Sequence, residues 1–499
     1  MSSEKESMGI EPFSDDLNSL GKEKEENIKV NSTKKGILII VVAILLILIA
    51  VGLILYFVVF SSKPEENHPQ PPQPNPDEKE EIKNFIISKF FVEDITESIK
   101  IYHKSYNDTI SSLEVDNNPV KINYTVIFES KGEHSVKIVF KNELTSLNNL
   151  FFKTPNLLEV DLSNLKTSNI ESASDMFNGC TNLKTINFTN FDTSKISNIS
   201  NMFTDCSSLE SINLDIFKND VLLDVYGLFS DCKKLKTIEF GNFNTKNIIN
   251  MSHLFSGCNS LEDINLDTFN TEKVEDMSNM FYGCASLKSL NLDKFITSNV
   301  VHMYGMFDGC SNIQSLNLEN FDTKNVEDMF FMFGDCLSLN SLNINKFDTN
   351  KVINMFGMFK NCEKLEKMDI SHFDTKNVED MGDMFGNCTS LKEINLKKLN
   401  TDNLKYMTGM FEGCSALNSL DLTSFNTENV VDVRFLLSDC KNLNSLDFSE
   451  FKTSNIIYYE GIFDGLPEEG TMKYNSTIFM KNITDLLPEK WNKEDIEKN

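Results

Sequence analysis

Two hydrophobic periods alternate along most of this chain. Pairs such as Ile186/Phe188, Leu290/Leu292, Leu316/Leu318 and Leu420/Leu422 enclose one polar residue each. Apolar-polar-apolar alternation is the period of a short, half-buried strand. A phenylalanine follows, from Phe191 to Phe451, with Leu399 in its place once. The period then changes. Val326, Met329, Met332 and Phe333 stand at i, i+3, i+6 and i+7, as do Val274/Met277/Met280/Phe281 and Leu404/Met407/Met410/Phe411. That spacing predicts one face of a short helix. A threonine three residues ahead (Thr193, Thr245, Thr271, up to Thr453; Asn219 is the exception) reads as its N-cap. The Gly, Asp or Asn that closes the stretch (Gly283, Gly309, Asp335, Asn361) tolerates a left-handed backbone and reads as its C-cap.

The unit strand–turn–short helix–turn repeats without insertion. All eleven cysteines, Cys180 to Cys440, lie 26 residues apart. Such a period means stacked units with a shared core. No proline occurs from Asn156 to Gly465, as a hydrogen-bonded ladder requires. The expected fold is an α/β solenoid over residues 146–465. Its first unit is atypical, with Thr154 where cysteine would stand.

The recurring string, typified by Phe321-Asp322-Thr323, Val326, Met329, Met332-Phe333, Cys336 and Leu339, resembles the BspA-type leucine-rich repeats of microbial surface proteins. The likeness covers about residues 147–465. It implies a leucine-rich-repeat array on a cell surface, similar to adhesins that bind protein, matrix or other cells.

The flanks change the picture. Gly36 to Phe60 is an uncharged apolar run of 25 residues, long enough for a transmembrane helix. The 35 residues before it favour an uncleaved signal-anchor over a cleaved leader. Lys29, Lys34 and Lys35 on its N-terminal side place residues 1–35, a polar and disordered tail, in the cytoplasm and the repeats outside. Residues 61–80, rich in Pro and Glu, read as an extended spacer. Residues 81–145 read as a β-rich N-terminal cap, in which Lys121–Phe128 and His134–Phe140 alternate like a hairpin turning at Lys131-Gly132. Residues 466–499, with the only tryptophan, Trp491, read as the C-terminal cap. Sequons at Asn107, Asn123, Asn187, Asn198, Asn250, Asn387, Asn475 and Asn482 matter only in a eukaryotic source.

A net charge of −27 argues against nucleic acid, which needs basic patches. The cysteines are not clustered as zinc ligands are, and their ladder reads as buried thiols filling a core. The methionine column Met251 to Met407 reads as core as well. The histidines occupy unrelated repeat positions, and no nucleophile, acid or base set assembles; no enzyme and no cofactor is expected. The candidate protein-binding surface is the outward, concave strand face: Asn265, Asp267, Asn291, Asp293, Asn317, Glu319, Asn343, Asp369 and Asp421. Adhesion or protein recognition by a membrane-anchored ectodomain is the leading expectation. A passive acidic coat and a receptor signalling through the N-terminal tail are the alternatives.

Overall fold

The computed structural model describes residues 84–497. The expected tail 1–35, transmembrane helix 36–60 and spacer 61–80 lie outside the described residues. Among the described residues no helix is long and apolar enough to cross a membrane.

The N-terminal segment runs through β1 (Phe85–Val92), β2 (Ile99–Lys100), a 3-10 turn (Lys104–Thr109), β3 (Ile110–Val115), β4 (Asn118–Val120), β5 (Thr125–Val126) and β6 (Gly132–Phe140). It ends at β7 (Leu157–Asp161), the first strand of the array. Strands β4-β3-β6-β1-β7 pair side by side, so β1 lies antiparallel on β7 and covers its edge. An open parallel edge would otherwise expose a row of unpaired backbone groups. The expected hairpin does not form. Strand β6 pairs with β1 and β3, while Thr125–Val126 pairs with Ile99–Lys100. Alternation marks a strand but not its partner, and here the partners lie far away in sequence.

The array continues through short parallel strands: β8 (Thr185–Asn187), β9 (Ser211–Asn213), β10 (Thr237–Glu239), β11 (Ser315–Asn317), β12 (Ser341–Asn343), β13 (Lys367–Asp369), β14 (Glu393–Asn395), β15 (Ser419–Asp421) and β16 (Ser445–Phe448). Paired residues are offset by one repeat, as in Leu316↔Leu342 and Leu420↔Leu446. The strand register read from the sequence holds: Leu316 and Leu318 are buried, and Ser315, Asn317 and Glu319 are exposed. A second parallel ladder, without gaps, joins Ser146, Ser172, Asn198 and so on to Tyr458 through twelve single bridges. The strand ladder lapses around Asn265 and Asn291, yet the second ladder continues past both.

The expected short helices are absent. In their place are tight turns cross-linked to the next coil. The Met332 N–H donates to the Met329 carbonyl (3.2 Å), and the Gly334 N–H to Phe331 (3.0 Å). Between these, Met329, Phe331, Phe333 and Asp335 donate to carbonyls one repeat on, at Asn354, Phe356, Met358 and Lys360. Half of the amides therefore serve the stack rather than an i→i−4 ladder. The backbone explains why. The residue five before each cysteine, as in Asn201, Gly227, Asn279, Gly305 and Gly357, has positive φ, and so does the residue just before the cysteine. A left-handed residue at that spacing ends an α-helix and completes a type II turn.

The threonine is not an N-cap. The Thr323 hydroxyl accepts the Asp348 N–H (2.8 Å) and donates to the Asp348 carbonyl (2.8 Å), one coil on. Thr271, Thr297 and Thr427 do the same. These threonines are buried, and the hydroxyl stands in for a missing rung of backbone ladder.

Inside, phenylalanines form a continuous stack from Phe151 to Phe411, with centroids 5.4–6.1 Å apart and ring planes within 20°. The methionine column from Met251 to Met407 is fully buried beside it. At the far end, β16 pairs with β17 (Thr471–Tyr474) and β17 with β18 (Asn492–Asp495). A single short helix, α1 (Lys481–Thr484), lies between the last two strands. Trp491 is buried and donates its Nε1–H to the Pro467 carbonyl (2.8 Å).

Candidate functional site

All eleven cysteines are free and buried. Each Sγ–H donates to the carbonyl of the stacked phenylalanine one coil back, from Cys180 on Phe151 to Cys440 on Phe411, at 3.0–3.3 Å. This explains why cysteine, and not alanine, recurs: it is a small apolar filler that also gives a second donor to a carbonyl already holding a backbone N–H, as the Phe307 carbonyl accepts both the Cys310 N–H and the Cys336 thiol. Thr154 holds the place in the first coil, and its buried hydroxyl has no partner. Thr154→Val is therefore expected to raise stability by about 1 kcal/mol in urea denaturation. Burial pushes the Cys284 and Cys388 thiols up to about 12, against the pull of the backbone hydrogen bond. The folded protein is expected to leave all eleven unreacted with a thiol-specific reagent at pH 8, and the denatured chain to expose all of them.

The predicted surface residues do fall on one face, one coil apart. Asn265, Asp267, Asn291, Asp293, Asn317, Glu319, Asp369 and Asp421 are exposed, and Asn343 is half-buried. Their side chains have local duties that the sequence did not reveal. The Oδ1 atoms of Asn265, Asn291, Asn317 and Asn343 accept the N–H two residues on, at Asp267, Asp293, Glu319 and Asn345. Asp369 and Asp421 do likewise with Ser371 and Thr423 (2.9 and 3.0 Å). Those serine and threonine partners hold both carboxyls below the usual range. The Asn/Asp column is thus a row of Asx turns that close each strand. Lys294 pairs with Asp267 (3.4 Å) and Lys346 with Glu319 (3.1 Å), which offsets part of the face's charge. Two shallow depressions open nearby. One of about 550 Å³ lies over Asn187, Asn213 and Glu239, and one of about 410 Å³ over Asn395 and Asp421.

One cluster outside the array has the outline of a catalytic set. His134 Nδ1 lies 2.7 Å from Asp116 Oδ2, and Ser130 Oγ lies 3.4 Å from His134 Nε2. The Ser130 carbonyl is nearer to that nitrogen, at 2.8 Å. Both ring nitrogens thus face acceptors. Burial opposes the charge, but the Asp116 hydrogen bond and the Ser130 carbonyl outweigh it and raise the histidine's pKa. With Nε2 turned to the Ser130 carbonyl rather than to its hydroxyl, the ring is not placed to take a proton from Ser130, and the contact with Asp116 is structural. Among the described residues no group of three or more His, Cys, Asp or Glu is placed to hold a metal.

The turn face carries what the sequence reading missed. The position six residues before cysteine is Ser in several coils, but it is Tyr226, Tyr304, Phe330 and Phe356 in others. Tyr282 and Phe330 are among the exposed large hydrophobic side chains. The signal was present as departure from the repeat consensus.

Two parallel ladders, internal columns and capped ends define a β-solenoid of 26-residue turns. The chain belongs to the family described as "Mycoplasma protein of unknown function, DUF285", which it matches in overlapping segments at residues 122–221, 145–265, 223–316, 302–419 and 356–477. No curated protein matches it. Among solved structures it is similar to a leucine-rich repeat protein from Bacteroides ovatus (16% identity, 74% of this chain and 90% of that chain, TM-score 0.45). It is also similar to a leucine rich cell surface protein from Faecalibacterium prausnitzii (17%, 70% and 86%, 0.42) and a leucine-rich repeat protein from Eubacterium ventriosum (17%, 65% and 87%, 0.26).

Proposed function

We propose that this chain is a membrane-anchored surface protein of the BspA type whose repeat array recognises protein on other cells or matrix. In this reading Gly36–Phe60 is a signal-anchor, the N-terminus is cytoplasmic, and the strand face with Asn265, Asn291 and Asn317 is one recognition surface. The observation that carries it is the form of the array. On the strand face outward side chains stand at one-coil intervals, as Asn317 beside Asn343 and Asp421 beside Asp447, while the core is served by separate columns. Such a surface engages an extended partner at many points without an enclosed pocket. The full-length protein, solubilised and folded, is expected to bind cultured cells or matrix proteins saturably. A folded preparation that binds none of them would sink the reading.

The Asx turns favour a second reading for the strand face, a passive acidic coat, because they give its Asn/Asp column a structural reason to exist. Deleting the gene without loss of cell attachment is the outcome expected of a coat.

A further inference from the structure

On the turn face three successive coils build a pocket of about 350 Å³, lined by Asn279, Tyr282, Tyr304, Asp308, Phe330 and Phe331. The rings are positioned, not incidental. Phe330 and Phe331 lie edge to face with centroids 4.7 Å apart, and Phe356 of the next coil packs on both at 5.7 Å. Phe331 holds φ +49°, at a repeat position mostly filled by Gly, Asn or Asp. A bulky residue with positive φ is an outlier that persists only when its surroundings enforce it. Glycines clear the space. A Cβ on Gly334 would meet the Phe331 ring at 2.5 Å and Asp308 Oδ1 at 2.9 Å, and one on Gly357 would meet the Phe331 ring at 2.7 Å.

Asp308 supplies charge at this pocket. It is half-buried, and the following coil sets Asp335 near it. Among the described residues no lysine or arginine pairs with Asp308. Two coils along the same column, by contrast, Lys360 is paired with Asp383 (2.7 Å).

We propose that this pocket is a cation site that takes a lysine side chain of a basic partner protein. Tyr282, Tyr304 and Phe330 line the pocket with aromatic rings, whose negative quadrupole attracts an ammonium, and Asp308 offers the counter-charge. A chain of net charge −27 draws basic partners toward it. A neutral sugar would stack on the rings but leave Asp308 without a cation. The proposal rests on the protein-recognition reading only for the source of the lysine.

Burial, then the charge of Asp335, pushes the Asp308 carboxyl up to about 7 against the Gly309 N–H that it accepts. The other titratable groups about it are the phenols of Tyr282 and Tyr304 in the pocket and the buried thiols of Cys310, Cys336 and Cys362 behind it. Below that pKa Asp308 is neutral and adds no attraction; above it the charge is present. Affinity for an ammonium is therefore expected to rise between pH 6 and pH 8.

The test titrates the full-length protein with a hexalysine peptide by calorimetry at about 0.15 M salt, where long-range attraction is screened. Tyr282→Leu and Phe330→Leu keep apolar bulk at exposed positions and remove the ring. Each is expected to weaken binding about tenfold, with thermal unfolding unchanged. Asn317→Ala on the strand face is expected to leave binding unaltered, and Asp308→Asn to abolish the pH rise. Equal affinity in the ring variants, or an unchanged pH slope in Asp308→Asn, would overturn the proposal. Binding of a neutral oligosaccharide that Tyr282→Leu removes, with hexalysine binding intact, would overturn it in favour of a sugar platform. If cells or matrix still bind the ring variants as tightly as the parent, this site fails and the recognition reading stands.

Discussion

Leu318→Asp is expected to cost roughly 3–5 kcal/mol and to open the middle of the array first. Leu318 is 1% exposed, and the equivalent residues in the adjoining coils, Leu292 and Ile344, are 2% exposed each. A carboxylate there finds no cation and must either stay charged in an apolar column or take up a proton. Because each coil touches only its neighbours, the loss concentrates around coils 292–344 rather than spreading to the ends. Hydrogen exchange would show early opening of amides such as the Leu318 N–H, bonded to the Asn343 carbonyl (3.1 Å). Asn317→Asp, one residue away, keeps the acceptor that receives the Glu319 N–H and is expected to change stability by less than about 0.5 kcal/mol. If the two variants lost stability equally in urea, the assigned strand register would be wrong.

Phe307→Ala is the second large effect, about 3–5 kcal/mol. Its ring lies parallel to Phe281 and Phe333 at 5.9 and 5.7 Å, fully buried, and its carbonyl accepts the Cys336 thiol. Truncation leaves a cavity that a stack closed on both sides cannot collapse to fill. Phe307→Leu is expected to lose less than about 2 kcal/mol, because Leu437 already occupies the same repeat position. Urea denaturation of the pair would check the ranking. Equal losses would mean that ring stacking, and not filled volume, holds the column.

What could be read in the sequence follows from which signals are local. The pairs Leu316/Leu318 and Leu420/Leu422 fixed the strand faces, since a period of two leaves one register with the core inside. The period of 26 fixed the stacking, and with it the burial of cysteine and methionine columns. The helix failed because i, i+3, i+6, i+7 is also the spacing of consecutive tight turns. The discriminating mark was in the chain: Asn201, Gly227, Gly305, Gly357 and Gly409 put a left-handed residue inside each supposed helix. The Thr323–Asp348 pairing was hidden for a different reason. It joins residues 25 apart, and no local pattern announces a side chain that serves the next coil.

The candidate surface was half legible. Outward positions followed from the register, but the Asx turns that occupy Asn265, Asn291 and Asn317 depend on loop geometry after each strand. The aromatic pocket was passed over because a consensus averages away the coils that differ. In a repeat array the conserved columns build the scaffold, and positions such as Phe330 and Phe331 that break them mark where a coil does something of its own.

In the proposed topology the repeats stand outside a membrane and Gly36–Phe60 is the anchor. Protease shaving of intact cells, with one epitope tag at each terminus, tests it directly. Loss of the C-terminal tag with the N-terminal tag protected is the expected result. Protection of the C-terminal tag in intact cells, with cleavage only after permeabilisation, would place the array inside and contradict it.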